Sequence, residues 1–316
     1  MARTILITGA SGFAGGHLIE ALPADVRIVG WDRSLGAAPD PRVAWRSVDL
    51  LDPHAVGAAL AEAAPDEIYH LAGAAHVGQS FGAAEMTLAT NVRGTHYLLD
   101  AVRQQRLASR ILVTGSAMVY RPSTEALDER SPIGTVNPYA LSKLAQEQLA
   151  LRAHDEDGLD TVVVRAFNHI GPRQHPSFFA SSFARQIAEI EAGIKAPLMR
   201  VGNLEARRDL TDVRDTVRAY IALMAHGHSG AVYNVCTGVA GRVGDILDTL
   251  HALARVPIDI GTDPALLRPS DTPVVLGSHE RLTRDTGWRP TIGLDTTLRD
   301  LLDAWRATVR AEHRQA

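Results

Sequence analysis

The chain has 316 residues, 46% of them hydrophobic and 22% charged, which is enough apolar material for a large core and enough length for two lobes. A net charge of −4 with no long basic block offers no electrostatic footprint for nucleic acid or an anionic membrane, so neither is expected as a partner. A single cysteine, Cys236, excludes an internal disulfide, and no apolar run is long enough to span a bilayer or reads as a signal peptide, so a cytoplasmic protein is expected.

The run Thr4-Ile5-Leu6-Ile7-Thr8 reads as a buried strand. It feeds a glycine-rich turn with Gly9, Gly12 and Gly15, followed by a helical pattern over about 13–22. Glycines at these places let the backbone turn sharply and approach a pyrophosphate, whose charge meets the amides at a helix N-terminus; the motif predicts dinucleotide binding. A second strand, 27–31, ends at Asp32, the position for a carboxylate that accepts hydrogen bonds from an adenosine ribose. Arg33 follows it and could pair with a 2′-phosphate, so NAD and NADP both stay open. Asp52 caps and Pro53 opens a helix over about 53–64, and a strand at 67–71 carries His70, expected as a packed, hydrogen-bonded histidine. The thirteen histidines are scattered, with no His-Glu-x-x-His helix and no Cys/His cluster, so no metal is expected.

A long helix over about 84–106 and a strand at 110–115 precede the most informative stretch, Asn137-Pro138-Tyr139-Ala140-Leu141-Ser142-Lys143. Asn137 is a good N-cap and Pro138 suits the first helical position, so Tyr139 and Lys143 fall one turn apart on one face of a helix over about 138–154. A cation beside the phenol is expected to lower its pKa towards working pH, as a general acid/base requires. A strand at 160–165 completes an alternation that predicts βαβ units and a parallel sheet covered on both faces. Beyond Arg165 the rhythm changes: a loop from Asn168 to Arg173, a helix from Ser177 to Ala192, and a strand from Ala231 to Val235 that returns to the sheet, with Cys236 as a small buried hydrophobe at its end.

Taken in order, the segment Thr8 to Gly15, Asp49, the segment Tyr69 to Gly73, Asn91 in Thr90-Asn91-Val92-Arg93-Gly94-Thr95, the segment Thr114 to Tyr120, and Tyr139 to Lys143 resemble the extended short-chain dehydrogenase/reductases (NAD-dependent epimerase/dehydratase family) that act on nucleotide sugars. The resemblance covers nearly the whole chain. It implies an α/β fold, a Rossmann-type doubly wound parallel sheet with a smaller C-terminal α/β substrate lobe, divided as 1–165 plus about 208–240 for the dinucleotide and 166–207 with 241–316 for the nucleotide sugar. It implies NADPH or NADH as cofactor. Gly9, Gly12, Phe13, Ala14 and Gly15 would meet its pyrophosphate turn, with Asp32 and Arg33 at the ribose and Asp49 and Leu50 bordering the adenine. Leu71, Ala72 and Gly73 would continue that wall. Ser116 would be the hydroxyl partner of Tyr139, Lys143 would hold the nicotinamide ribose and lower the Tyr139 pKa, and Asn91 would stabilise a water relay to Lys143.

Within the family, the segments Arg165 to Gln174, Val201 to Asp209 and Arg268 to Pro273 are similar to the GDP-mannose branch. That similarity implies a GDP-sugar partner, with Arg208 and Arg268 gripping its diphosphate and Asn168 and Asp271 among the substrate contacts; guanidinium forks suit phosphate oxygens because they bond in pairs and stay charged. An ion pair of Arg208 with Asp209 or Asp212 is the alternative. Branch members that dehydrate the sugar keep an acid at the Met118 position, and methionine neither gives nor takes a proton. Simple hydride transfer to the C4 ketone of a GDP-4-keto-6-deoxy-hexose is therefore expected, with the C4-epimeric product, dehydration, epimerisation and non-catalytic dinucleotide sensing as alternatives. Relatives pair the helices at 84–106 and 138–154 with their copies, which implies a homodimer in which Leu98, Val102, Leu144, Leu149 and Leu151 offer apolar material, though the same residues could simply face the sheet.

Overall fold

Short runs of Ile, Leu and Val, buried on both faces, account for most of one parallel sheet. The computed structural model describes residues 2–33, 40–74, 82–267 and 272–315. Its strands are, in chain order, β1 (Thr4–Thr8), β2 (Arg27–Asp32), β3 (Val43–Ser47), β4 (Glu67–His70), β5 (Arg110–Thr114), β6 (Asp160–Ala166), β7 (Asn168–Ile170), β8 (Leu198–Val201), β9 (Arg207–Asp212), β10 (Ala231–Val235), β11 (Ala240–Arg242), β12 (Asp259–Thr262) and β13 (Val274–Val275). Seven of them form the main sheet in the order β10-β6-β5-β4-β1-β2-β3, every neighbouring pair parallel. The order reverses between β1 and β4, and at such a switch point the loops leaving the two strands diverge and open a crevice.

Helices cover both faces. Phe13–Ala21 and Val213–His226 pack Leu18, Val217 and Leu223 on one side, and Pro53–Ala63, Gly94–Gln104 and Pro138–Asp157 pack Leu60, Leu98, Val102 and Ala150 on the other. A separate core lies among helices Phe179–Glu191, Val243–Ala252 and Leu294–Gln315, where Ile187, Leu247, Leu298 and Leu302 are buried. Beside it β9 pairs with β7, β11 and β13.

Local signals set several ends as expected. Asn137 Oδ1 accepts from the Ala140 amide at 2.8 Å with Pro138 in the first turn, and Asp52 Oδ1 accepts from His54 and Ala55. The helix starting at Ala84 is not uniform: Ala89–Arg93 is a single π turn between α-helical stretches Ala84–Leu88 and Gly94–Gln104. One expectation is corrected here. Leu98 and Val102 are fully buried against the sheet and build the monomer core instead of an intersubunit face, and the partly buried Leu149 and Leu151 lean on the same cluster. Among the described residues no helix is long and apolar enough to cross a membrane.

Candidate active site

A cleft of about 660 Å³ opens at the C-terminal ends of β1, β2, β4 and β5. Its floor is the first turn. Gly9 has φ of +68°, and a Cβ there would lie 2.9 Å from the Ala72 backbone; a Cβ on Gly15 would lie 2.5 Å from the Gly9 carbonyl oxygen. Strand, turn and helix are thus pressed closer than any side chain allows, and Gly12 supplies no side-chain cap to the helix Phe13–Ala21. The Cβ-free cradle and the uncapped helix end fit a dinucleotide pyrophosphate.

Asp32 closes β2 at the rim of the cleft. Its Oδ2 accepts from the Ser11 hydroxyl at 2.5 Å, and its Oδ1 from the Arg33 amide at 2.8 Å. Asp32, Arg33, Asp49, Leu50, Leu71, Ala72 and Gly73 all line the cleft. Asn91 does not line it but stands behind Gly73: its Oδ1 accepts from the Ala74 amide at 2.8 Å, and its Nδ2 donates to Ser142 Oγ at 2.9 Å. Because a Cβ on Gly73 would lie 2.8 Å from Asn91 Oδ1 and 3.4 Å from Lys143 Nζ, only glycine lets these groups converge. The π turn holds Asn91 fully buried at this place.

The far wall carries Ser116, Tyr139 and Lys143. Ser116 caps the short turn Ala117–Val119, accepting from the Met118 amide at 3.2 Å, and Met118 faces the same cleft. Lys143 Nζ donates to the Thr114 carbonyl at 2.9 Å and to Gln146 Oε1 at 2.8 Å, and burial pulls its pKa down to about 8. The expected lowering of Tyr139 is corrected by the structure. Burial pushes its phenol up, a hydrogen bond with Ser116 opposes that, and the Lys143 ammonium is not among the groups that shift it.

His70 is the packed histidine expected, fully buried between Thr8 Oγ1 and Thr95 Oγ1, each at 2.8 Å, with its pKa pulled down to about 3. Cys236 is fully buried as well, and burial pushes its thiol up. Among the described residues no group of three or more His, Cys, Asp or Glu side chains is arranged to hold a metal ion.

On the substrate side, Asn168 lines the cleft but Arg208 does not. Arg208 Nη1 donates to the carbonyls of Thr272 at 2.8 Å and Arg207 at 2.9 Å. The carboxylates offered as its alternative partners are engaged elsewhere: Asp209 accepts from Thr237 and Gly238, and Asp212 from Arg214 and Thr297. Arg268 and Asp271 lie outside the described residues. Sequence reasoning missed other lining residues. His169 stacks on Phe13 with ring centroids 5.7 Å apart, and behind the cleft His17 meets the Pro172 carbonyl at 2.9 Å, which ties the loop after β7 to the helix Phe13–Ala21. Phe179 and Tyr220 also line the cleft, and their apolar neighbours in the sequence made them look like ordinary core.

The family model described as GDP-mannose 4,6 dehydratase matches residues 6–301. The GDP-6-deoxy-D-mannose reductase of Pseudomonas aeruginosa is 38% identical over 315 residues, covering 99% of this chain and all of that protein, and the dTDP-glucose 4,6-dehydratase of Streptomyces griseus is 30% identical, covering 99% and 95%. Among solved structures, RMD from Pseudomonas aeruginosa complexed with NADPH superposes with a TM-score of 0.85 at 36% identity, over 97% of this chain and all of that one. A glycine cradle, a Ser-Tyr-Lys wall and full-length similarity agree: the chain belongs to the GDP-mannose 4,6 dehydratase family of extended short-chain dehydrogenases/reductases.

Proposed function

We propose that the protein reduces the C4 ketone of GDP-4-keto-6-deoxy-D-mannose to GDP-D-rhamnose with NADPH or NADH. The observation that carries this reading is the Ser116-Tyr139-Lys143 wall with Met118, not a carboxylate, beside it, in a chain similar from end to end to a GDP-6-deoxy-D-mannose reductase. The bound dinucleotide supplies the hydride. Ser116 and Tyr139 hold the C4 oxygen, and Tyr139 gives its proton to the alkoxide as the C4–H bond forms. Lys143 holds ribose hydroxyls of the cofactor, and Asp32, oriented by Ser11, takes the adenosine ribose. Dehydration of GDP-mannose also needs a proton moved at C5 and a hydroxide expelled at C6, for which Met118 has no group to offer. The test is stoichiometric: one NAD(P)H consumed per keto-sugar reduced, the C4 configuration read by NMR, and no 4-keto-6-deoxy product from GDP-mannose with NAD(P)⁺. Appreciable dehydration of GDP-mannose would refute the reading.

Residues 1–165 with about 208–240 serve the dinucleotide, and 166–207 with 241–316 the sugar nucleotide. Arg208, which donates to the Thr272 carbonyl, contributes with Arg268 and Asp271 to the diphosphate grip, and Asn168 contacts the sugar nucleotide. Arg208→Met is then expected to raise KM for the GDP-sugar about tenfold or more while leaving KM for the cofactor within about twofold, since a lost charge-assisted hydrogen bond is worth ~1.5–3 kcal/mol. Equal changes in both constants would count against the grip.

The active form is a homodimer that pairs the outer faces of Ala84–Gln104 and Pro138–Asp157. Leu141, 49% exposed, is a large apolar side chain on the second of those faces. Light scattering at micromolar protein checks it, and a monomeric mass would sink it. The cytoplasm, where reduced dinucleotide and nucleotide-activated sugars are found together, is the expected site of action, which cell fractionation decides.

A further inference from the structure

Lys143 lies in a fully buried chain of directional hydrogen bonds that the proposed chemistry does not by itself require. Thr95 has one hydroxyl proton and gives it to the Asn91 carbonyl at 2.7 Å. Its other two contacts, Gln146 Nε2 at 2.9 Å and His70 Nε2 at 2.8 Å, must therefore be donors to it. Two results follow. The Gln146 amide is locked with its oxygen toward Lys143, and His70 carries its proton on Nε2, so that Nδ1 accepts from Thr8 Oγ1, which in turn accepts from the Ala72 amide at 3.2 Å. The chain thus runs from the end of β1, at the glycine turn, to the Lys143 ammonium.

We propose that Gln146 is a positioning residue for the cofactor site: its amide oxygen, together with the Thr114 carbonyl, keeps the Lys143 ammonium protonated and leaves one N–H to the cofactor ribose. This rests on the dinucleotide reading of the cleft. An ammonium has three donors, and the Thr114 and Gln146 oxygens take two. Among the described residues no carboxylate shares the burden. Tyr139 on the same helix is neutral, as is His70 of β4. Asn91 and Thr95 on the adjacent helix and the Thr114 carbonyl of β5 are uncharged, and Glu147, next in sequence to Gln146, is spent on Arg165 of β6. With the side chain 5% exposed and its pKa already brought to about 8, losing one of two oxygens tips it toward the amine near neutral pH.

Lys143 and Lys195 are the chain's two lysines, which makes the test direct. Protein carrying ¹³C-labelled lysine gives two Cε signals, and Lys143→Arg identifies which is which. In the cofactor-free wild type the Lys143 signal is expected to titrate near pH 8. Gln146→Met keeps the volume without an acceptor and should lower that midpoint by about one pH unit, while Gln146→Glu should raise it by at least as much. With such a shift, NADPH affinity of Gln146→Met, followed by cofactor fluorescence, should be about threefold weaker than wild type at pH 7.5 and equal to it at pH 6. A Gln146→Met midpoint within about 0.3 of wild type overturns the proposal, as does an affinity loss of the same size at both pH values, which is what a merely structural role gives. Failure of the wild type to bind NADPH would instead refute the cofactor reading, with the Cε titration still deciding the part played by Gln146.

Discussion

Tyr139→Phe is expected to cut turnover by ~10²–10⁴ while NADPH affinity stays within about twofold of wild type. The ring of Tyr139 packs in the first turn of its helix and phenylalanine keeps that packing, so the substitution removes a proton donor and little else. The structure sharpens the reason. Burial pushes the Tyr139 phenol up and the Ser116 hydrogen bond only partly offsets it, so the side chain carries its proton at neutral pH. For reduction that is the useful form: the alkoxide born at C4 is a much stronger base than phenolate and takes the proton as it appears. Cofactor fluorescence gives the affinity and the decay of NADPH absorbance gives kcat. Turnover near wild type would mean that another group, Ser116 or a water, protonates the product and that Tyr139 only shapes the pocket.

The parts of this site that could be read from sequence are those set by local rules. Asn137-Pro138 fixes the register of a helix, and that register alone puts Tyr139 and Lys143 on one face. The glycine turn was legible for a similar reason, since strand, turn and helix occupy adjacent residues. Central strands such as β1 and β5 were legible because a parallel strand buried on both faces is an uninterrupted apolar run. β3 was not: at the sheet edge it alternates buried Val43 with exposed Ala44 and Arg46, and five such residues carry little signal. β9 was hidden in the same way, because its polar residues are satisfied by tertiary partners that the sequence does not reveal, Asp209 by Thr237 and Asp212 by Thr297.

Faces of helices were legible, but not what each face meets. The pattern of Leu98 and Val102 is the same whether they face a sheet or a second subunit, and only the assembled fold turns them inward. Electrostatics failed for a related reason. A lysine one turn from a tyrosine suggests a lowered phenol pKa, yet the shift depends on where the ammonium points and how much water remains. In the fold Lys143 spends two of its three donors on Thr114 and Gln146, and desolvation governs both groups.

Beneath the active-site wall, Glu147→Ala is expected to lower stability by ~3–5 kcal/mol, the largest loss we anticipate for a residue that does not touch the cleft. Glu147 lies on the same helix as Lys143, one turn further on, and its carboxylate accepts from Arg165 Nε at 2.8 Å and Nη2 at 2.6 Å, with the two side chains 1% and 7% exposed. Truncating the acid strands a guanidinium left with uncharged partners, the Glu129 carbonyl at 3.2 Å and Tyr120, whose ring centroid is 4.7 Å away. Neither replaces a charge partner. The cost is one of abandonment, because the pair itself repays little more than its own desolvation; Glu147→Leu with Arg165→Met should therefore recover most of the loss. Urea unfolding of the two proteins measures both numbers. A single variant within about 1 kcal/mol of wild type would show that water or a shifted side chain reaches Arg165, and a double variant no better than the single would show that the ion pair is itself a source of stability.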